Sequence, residues 1–306
     1  MSRERAGLLF CLLSAAAFST STIFGRVALE DGAGVLTILA LRYSGAAPIF
    51  WGIVVASRQR VPSSGSAARV FGLGALVLAT QAAMIYASLT RLNAGLVTIL
   101  LYTFPAMVAV ASVVIGRERP SRRNMTAVTV ATLGTVLVLT GDAELEADWL
   151  GIGLALTSAI FAAGWVLASD RLLVGIPSLT VSALVTTGAA TSLGLVGLAS
   201  GAIVLDFGPA AWSAILGTVV ITTVVAISTA LAGMARVGPT VASILMTAEV
   251  PMGVTWAIVL LGERLQAIQL VGGALVVAAV VLLQAGTIRW PAWIVARYAP
   301  PVRPRA

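Results

Sequence analysis

Histidine and lysine are absent from this chain of 306 residues, and cysteine occurs once, at Cys11. What remains cannot assemble a Ser-His-Asp triad, a histidine metal site or a Schiff-base lysine. A single cysteine permits no intrachain disulfide and no CxxC pair. The missing lysine also rules out a GxxxxGK[ST] phosphate loop, and with it ATP-driven pumping by this chain alone. Charge is scarce as well: 10% of residues are charged and 59% apolar, against roughly 25% and 45–50% in an ordinary soluble domain. Mean hydropathy is +1.02. A water-facing surface cannot be covered by so few charges, so the apolar excess must face lipid. All 19 basic residues are arginine, and the net charge is +7. They lie in short gaps between apolar runs rather than in a continuous stripe, which excludes a nucleic-acid surface.

What is present is a series of long apolar runs. A membrane-spanning helix needs about 20 such residues. Ten runs qualify: 8–26, 35–56, 70–89, 94–115, 124–141, 149–169, 178–200, 211–234, 240–261 and 266–286. Short polar breaks separate them, among them Glu30-Asp31-Gly32, Arg58-Gln59-Arg60 and Arg117-Glu118-Arg119. The shortest break is Thr90-Arg91-Leu92-Asn93. Within lipid the backbone must satisfy its own hydrogen bonds, so the runs are read as helices. The first run follows Arg3 and Arg5 but exceeds a signal-peptide core, and it is expected to be retained.

Arginine placement sets the orientation. With the N-terminus inside, fifteen arginines fall on the cytoplasmic side and three (Arg26, Arg91, Arg264) on the other, Arg42 lying within a span. The acidic stretch Asp142, Glu144, Glu146, Asp148 carries no arginine and falls outside. The positive-inside rule therefore predicts cytoplasmic termini. The tail, with Trp290, Trp293, four arginines and Pro291, Pro300, Pro301 and Pro304, reads as an interfacial anchor with a disordered end.

The chain also reads as a duplication. At an offset of about 145 residues, Arg91 meets Arg236, Thr98 meets Ser243, Met107 meets Met252, and Glu118-Arg119 meets Glu263-Arg264. The expected units are 1–145 and 146–290, followed by a cytoplasmic tail at 291–306. Five spans per unit is an odd number, so the second copy must be inverted. Inverted repeats suit alternating access around a site near the membrane midplane. The predicted fold class is an all-α integral membrane protein of ten helices in two inverted five-helix repeats.

Several motifs carry a family resemblance over nearly the whole chain. They are Phe18-Ser19-Thr20-Ser21-Thr22 with Arg26, Arg42-Tyr43, Tyr86-Ala87-Ser88-Leu89 with Asn93-Ala94, and Leu100-Leu101-Tyr102-Thr103-Phe104-Pro105 followed by Gly116, Glu118 and Arg119. The second half adds Ser228-Thr229-Ala230-Leu231-Ala232, Glu249 and Leu261-Gly262-Glu263-Arg264. Together they resemble the drug/metabolite transporter superfamily in its ten-span EamA-type branch, and within it bacterial exporters of amino acids and related metabolites, the aromatic amino acid exporters included. Two departures stand out: Val250 separates Glu249 from Pro251 where the family often has Glu-Pro, and Arg117 splits Gly116 from Glu118. The resemblance implies export across a bacterial inner membrane, with no cofactor, no metal and no nucleic-acid partner. A small solute and the bilayer are the expected partners, and the repeat needs no second copy of the chain.

Glu249 lies mid-span, where a charge costs about 2.5 kcal/mol or more and should face a cavity or a partner. It reads either as a contact to a substrate ammonium or proton-carrying site, or as a group fixing its helix to a neighbour. Arg42 lies ~10 Å into its span at about 1.5 Å per residue. It reads as snorkelling to the surface in preference to gripping a carboxylate or pairing with Glu249. Pro105 and Pro251 remove helical hydrogen bonds at nearly equivalent places and are candidate hinges. Phe18, Thr22, Tyr102, Phe104 and Trp165 fall at similar depths in spans one, four and six, with Gln81, Ser243 and Thr247 adding hydrogen-bonding groups from spans three and nine. Apolar walls with few polar points suit a small amphipathic solute. Gly151, Gly153, Gly188, Gly194 and Gly197 are expected to permit close helix packing.

The leading function is a secondary exporter of amino acids, aromatic or other neutral ones, or related metabolites. The alternatives are a carrier of drugs or quaternary ammonium ions, of nucleotide-sugars or sugar phosphates, then a membrane-embedded enzyme or a channel. Phosphate carriage calls for cavity lysine or arginine, of which only Arg42 is available. An intramembrane aspartyl protease needs two aspartates within spans, and none lies there.

Overall fold

The computed structural model describes residues 3–116, 121–140, 148–173 and 175–285. The Arg117–Pro120 break, Asp142, Glu144, Glu146 and the tail lie outside the described residues. Those described are helical apart from short connections, with no strand among them. The helices are α1 (Arg3–Glu30), α2 (Val35–Ala56), α3 (Ser64–Leu89) and α4 (Ala94–Val114). Then follow α5 (Arg122–Thr140), α6 (Trp149–Leu172), α7 (Ser178–Ala199), α8 (Pro209–Val237), α9 in two pieces (Pro239–Met246, Glu249–Leu261) and α10 (Ala267–Ala285).

Nine of these are long and apolar enough to cross a membrane. The exception is α5, a 19-residue helix that opens on Arg122 and Arg123. The expected ten runs are thus ten helices, nine of which meet the measure of a span. The first, third and eighth run longer than their apolar cores, because polar residues at their ends still complete helical turns. Between 22% and 56% of each spanning window is buried inside the bundle. The rest faces outward with residues such as Val55, Leu76, Val114, Leu198 and Val259, as a lipid-facing surface requires.

The helices pack in pairs. Along α1 and α8, Ser14 Oγ donates to the Ala226 carbonyl at 2.8 Å. Between α3 and α6, Ser88 Oγ donates to the Gly151 carbonyl at 2.9 Å and Ser158 Oγ to the Gln81 carbonyl at 3.0 Å. Trp51 Nε1 joins α2 to Thr187 Oγ1 of α7 at 3.0 Å. Helices α5 and α10 meet at Gly134 and Gly272, and α4 meets α9 where Gly253 faces Thr98. Exchanging the first five helices with the last five maps this set of pairs onto itself. The α3–α7 crossing is closest at Gly74 and Gly188, where an added Cβ would strike the Val185 and Phe71 backbones. Of the five glycines expected to permit close helix packing, Gly188 does so, while Gly151 and Gly197 sit closest to the connecting segments at Leu92 and Ile203. Gly153 and Gly194 have open space where a Cβ would stand, with nothing within 4 Å.

Four local departures from α-helix matter for the interior. Helix α3 widens into a π turn at Gly74–Leu78, and α8 does so at the equivalent Val220–Val225. Helix α4 breaks at Tyr102–Thr103 and α9 at Thr247–Ala248, again at equivalent places. Each break redirects polar groups inward, the recurrent use of such interruptions.

Candidate functional site

The four departures surround one interior cavity in two adjoining parts. The wider part, about 360 Å³, is lined by Phe18 of α1, Leu78 and Gln81 of α3, Tyr102, Phe104 and Pro105 of α4, and Trp165 and Val166 of α6. Ser243, Met246, Thr247 and Glu249 of α9 and Gln284 of α10 complete it. Gln284 places its edge near the face where α10 ends, the terminal face. The narrower part, about 210 Å³, shares Phe18, Gln81, Leu101 and Glu249 and continues past Thr22 and Thr98 to Arg42, Tyr43, Tyr86, Thr222 and Thr223.

Every residue expected at the cavity from spans one, three, four, six and nine lines it. Phe18, Gln81, Tyr102, Phe104, Trp165, Ser243, Thr247 and Glu249 line the wider part, and Thr22 the narrower. The two candidate hinges separate. Pro105 lines the cavity just after the α4 break, whereas Pro251 faces an outer cleft beside α10, one residue further round the helix than a Glu-Pro pair would put it.

Glu249 begins the second piece of α9. Tyr102 Oη, brought inward by the α4 break, donates to Glu249 Oε2 at 2.6 Å. Thus the equivalent breaks in the two halves meet through one hydrogen bond. Tyr102 also stacks edge-on with Phe104, ring centroids 5.8 Å apart. Thr22 and Thr98 hydroxyls pair at 3.2 Å, and Trp256 Nε1 donates to Ser19 Oγ at 3.1 Å, fixing α1 to α4 and α9.

Arg42 does not snorkel. It is 9% exposed and points into the bundle. Its Nε donates to Thr223 Oγ1 at 2.9 Å, and Nη1 to Tyr86 Oη at 3.1 Å and Ser21 Oγ at 3.2 Å. The guanidinium carbon lies 5.5 Å from the Tyr43 ring centre and 6.0 Å from that of Tyr86, within cation–π range. The π turn of α8 supplies Thr223, which sequence periodicity could not place on this face. Nor do Arg42 and Glu249 pair: the partners of both side chains are hydroxyls. Ser21, Tyr86, Thr222 and Thr223 were missed as cavity residues. The signal available for them was the cluster of hydroxyls in spans otherwise built of aliphatic residues.

The opposite face is held shut by polar contacts between loops and helix ends. Glu263 accepts from the Ala94 and Gly95 amides at 2.6 and 2.9 Å, capping α4. Asp31 accepts from the Ala211 amide at 2.8 Å at the start of α8. Arg91 Nη1 donates to Asp148 Oδ2 at 2.9 Å, and Asp148 Oδ1 caps α6 at the Gly151 amide at 2.8 Å. The Gly151 amide and then Arg91 hold the Asp148 carboxyl below the usual carboxylate range. Arg26 Nη1 donates to the Leu89 carbonyl at 2.8 Å, tying α1 to the end of α3.

The sequence profile of the EamA-like transporter family matches twice, at residues 5–140 and 149–284. The chain belongs to this family. It is therefore a multi-pass membrane transporter of the drug/metabolite transporter superfamily. It is also similar to the uncharacterized transporter YcbK of Bacillus subtilis (strain 168), 27% identical over 277 residues that span 87% of this chain and 89% of that one. A solved crystal structure of a protein 17% identical in sequence superposes with a TM-score of 0.64 over 94% of this chain and 100% of that one, which shows a shared fold. In this EamA-like chain, the motif residues quoted from the sequence divide into two roles. Glu263 caps a helix at the closed face, while Tyr102 and Glu249 line the cavity.

Proposed function

We propose that this EamA-family protein exports amino acids, aromatic or other neutral ones, or related small metabolites across a bacterial inner membrane by alternating access. The observation that carries the reading is the cavity itself. Among the described residues it has one carboxylate, Glu249, with a few hydroxyls and an aromatic wall, and it lies against Gln284 near the end of α10 while polar contacts join helix ends at the other face. Such a site suits a small amphipathic solute. The double family match and the helix pairs that survive exchange of the two halves support two inverted repeats, 1–145 and 146–290, rocking about the site. Arginines Arg60, Arg123 and Arg236 near the terminal face support cytoplasmic termini, with both ends of the chain inside. In that orientation the cavity is loaded from the cytoplasm, as export requires.

The test is uptake of labelled phenylalanine, leucine and glutamate into liposomes holding the purified protein, with and without a pH gradient. Saturable movement of the neutral amino acids is expected. Movement of tetraethylammonium or a sugar phosphate with none of any amino acid would replace this reading. The quaternary ammonium alternative draws on Glu249 beside Phe18, Tyr102, Phe104 and Trp165, a carboxylate among aromatic faces.

A further inference from the structure

Two ionisable side chains of opposite type, Arg42 and Glu249, face the narrower part of the cavity, and among the described residues neither has a counter-ion. Arg42 is surrounded by hydroxyls and rings, which satisfy hydrogen bonds but do not neutralise a guanidinium. Its bonds use Nε and Nη1 and leave Nη2 for the cavity it lines. Glu249 is bonded through Oε2 to Tyr102, which leaves Oε1 for the same space. Uncompensated charge in a low-dielectric interior is costly, and removing it from water is repaid only by close pairing. An anionic solute would satisfy Arg42 and leave Glu249 bare, and a cationic solute would do the reverse. A solute carrying both charges satisfies both.

We propose that the cavity binds a zwitterion, with its carboxylate on Arg42 Nη2 at the closed end and its ammonium on Glu249 Oε1. A guanidinium edge suits a carboxylate. The charged head occupies the narrow part, about 210 Å³, and the rest of the solute lies in the wider part against Phe18, Phe104 and Trp165. The proposal rests on the transporter reading and sharpens its substrate class to zwitterions with an apolar remainder. It assigns Arg42 and Glu249 to separate ends of one solute, so each sets a different discrimination.

The experiment uses the full-length protein in liposomes and four labelled probes: phenylalanine, phenethylamine, which lacks the carboxylate, 3-phenylpropionate, which lacks the ammonium, and 5-aminovalerate, a zwitterion with widely spaced charges. The wild type is expected to favour phenylalanine over both one-charge probes by at least about tenfold, the scale of one lost charged contact. Arg42→Gln should erase the preference for phenylalanine over phenethylamine while keeping that over 3-phenylpropionate. Glu249→Gln should do the converse. Arg42→Lys keeps the charge and should keep a reduced carboxylate preference, and melting curves of each solute-free variant identify any that fail to fold. A mere structural role for Arg42 would lower uptake of all probes together and leave the ratios unchanged, which would overturn the proposal. So would equal wild-type uptake of phenylalanine and phenethylamine, while leaving the transporter reading intact. Preference for 5-aminovalerate over phenylalanine supports the zwitterion and assigns the wider charge spacing. Failure of all four probes to move would sink the proposed amino acid export and this assignment together.

Discussion

At the Arg42 end of the cavity the guanidinium is fixed by three hydroxyls and flanked by two tyrosine rings; at the other end Glu249 has one hydroxyl partner and mostly apolar neighbours. Both charges sit within spans, Glu249 midway along its own and Arg42 nearer an end. The difference is what the tertiary fold supplies around each. The Arg42 end draws on α1, α2, α3 and α8 and forms a rigid socket behind the latched face. The Glu249 end hangs on the α9 break beside the α4 break, the least regular backbone in the interior. A fixed charge suits recognition, whereas a loosely held one at a helix break suits a group that changes partner.

That contrast can be broken in several ways. The largest effect is expected from Glu249→Gln, which removes the only cavity carboxylate among the described residues. Uptake should fall by about 30-fold or more, the scale of a truncated buried charge contact, and any stimulation by a pH gradient should vanish. Unchanged rate and pH response in liposomes would strip Glu249 of its role. Next is Thr223→Val, which removes one of the three hydroxyl partners of Arg42. A hydrogen bond to a charged group contributes about 1.5–3 kcal/mol, and the loss should appear as a lower melting temperature of the solute-free protein. A variant as stable as wild type would mean the socket is not rigid. Tyr102→Phe should act more weakly on stability, because Glu249 keeps one carboxylate oxygen open to the cavity and its solute. It should raise the half-saturating solute concentration several-fold with little change in melting, and a melting loss as large as that of Thr223→Val would erase the contrast between the two ends.

The sequence carried more of the site than of its wiring. Hydropathy located ten helices, and nine of the lining residues were legible as aromatic or polar side chains within apolar spans. Arg42 was misread because its depth near a span end fits a snorkelling chain, and only the wide turn in α8 brings Thr223 under it. Pro251 was legible as a helix interruption but not as outward-facing, since one inserted residue, Val250, turns it about 100° round the helix.

The smallest effect lies at the latched face. Asp148→Asn should loosen the Arg91 contact and the α6 cap, raising labelling of a cysteine placed at Leu92 by a membrane-impermeant reagent. The carboxyl is held below its ordinary range, so its contribution is complete above the usual aspartate range and is lost as pH falls through the depressed value. Wild-type labelling should therefore rise only in distinctly acid buffer, and the Asn variant should show no such rise. A latch insensitive to both changes would leave the closed face to apolar packing alone.

By itself the sequence determined that the chain enters a membrane as helices. Scarce charge and long apolar runs leave no other state in which the backbone is satisfied. It also determined which few residues carry chemistry, because in an apolar span any polar group is conspicuous. What only the tertiary structure decided is which way those groups face and what they meet. Two π turns and two helix breaks rotate side chains off the regular period. They bring Tyr102 to Glu249 and Thr223 to Arg42, and a pattern read at a constant 3.6 residues per turn does not contain that rotation.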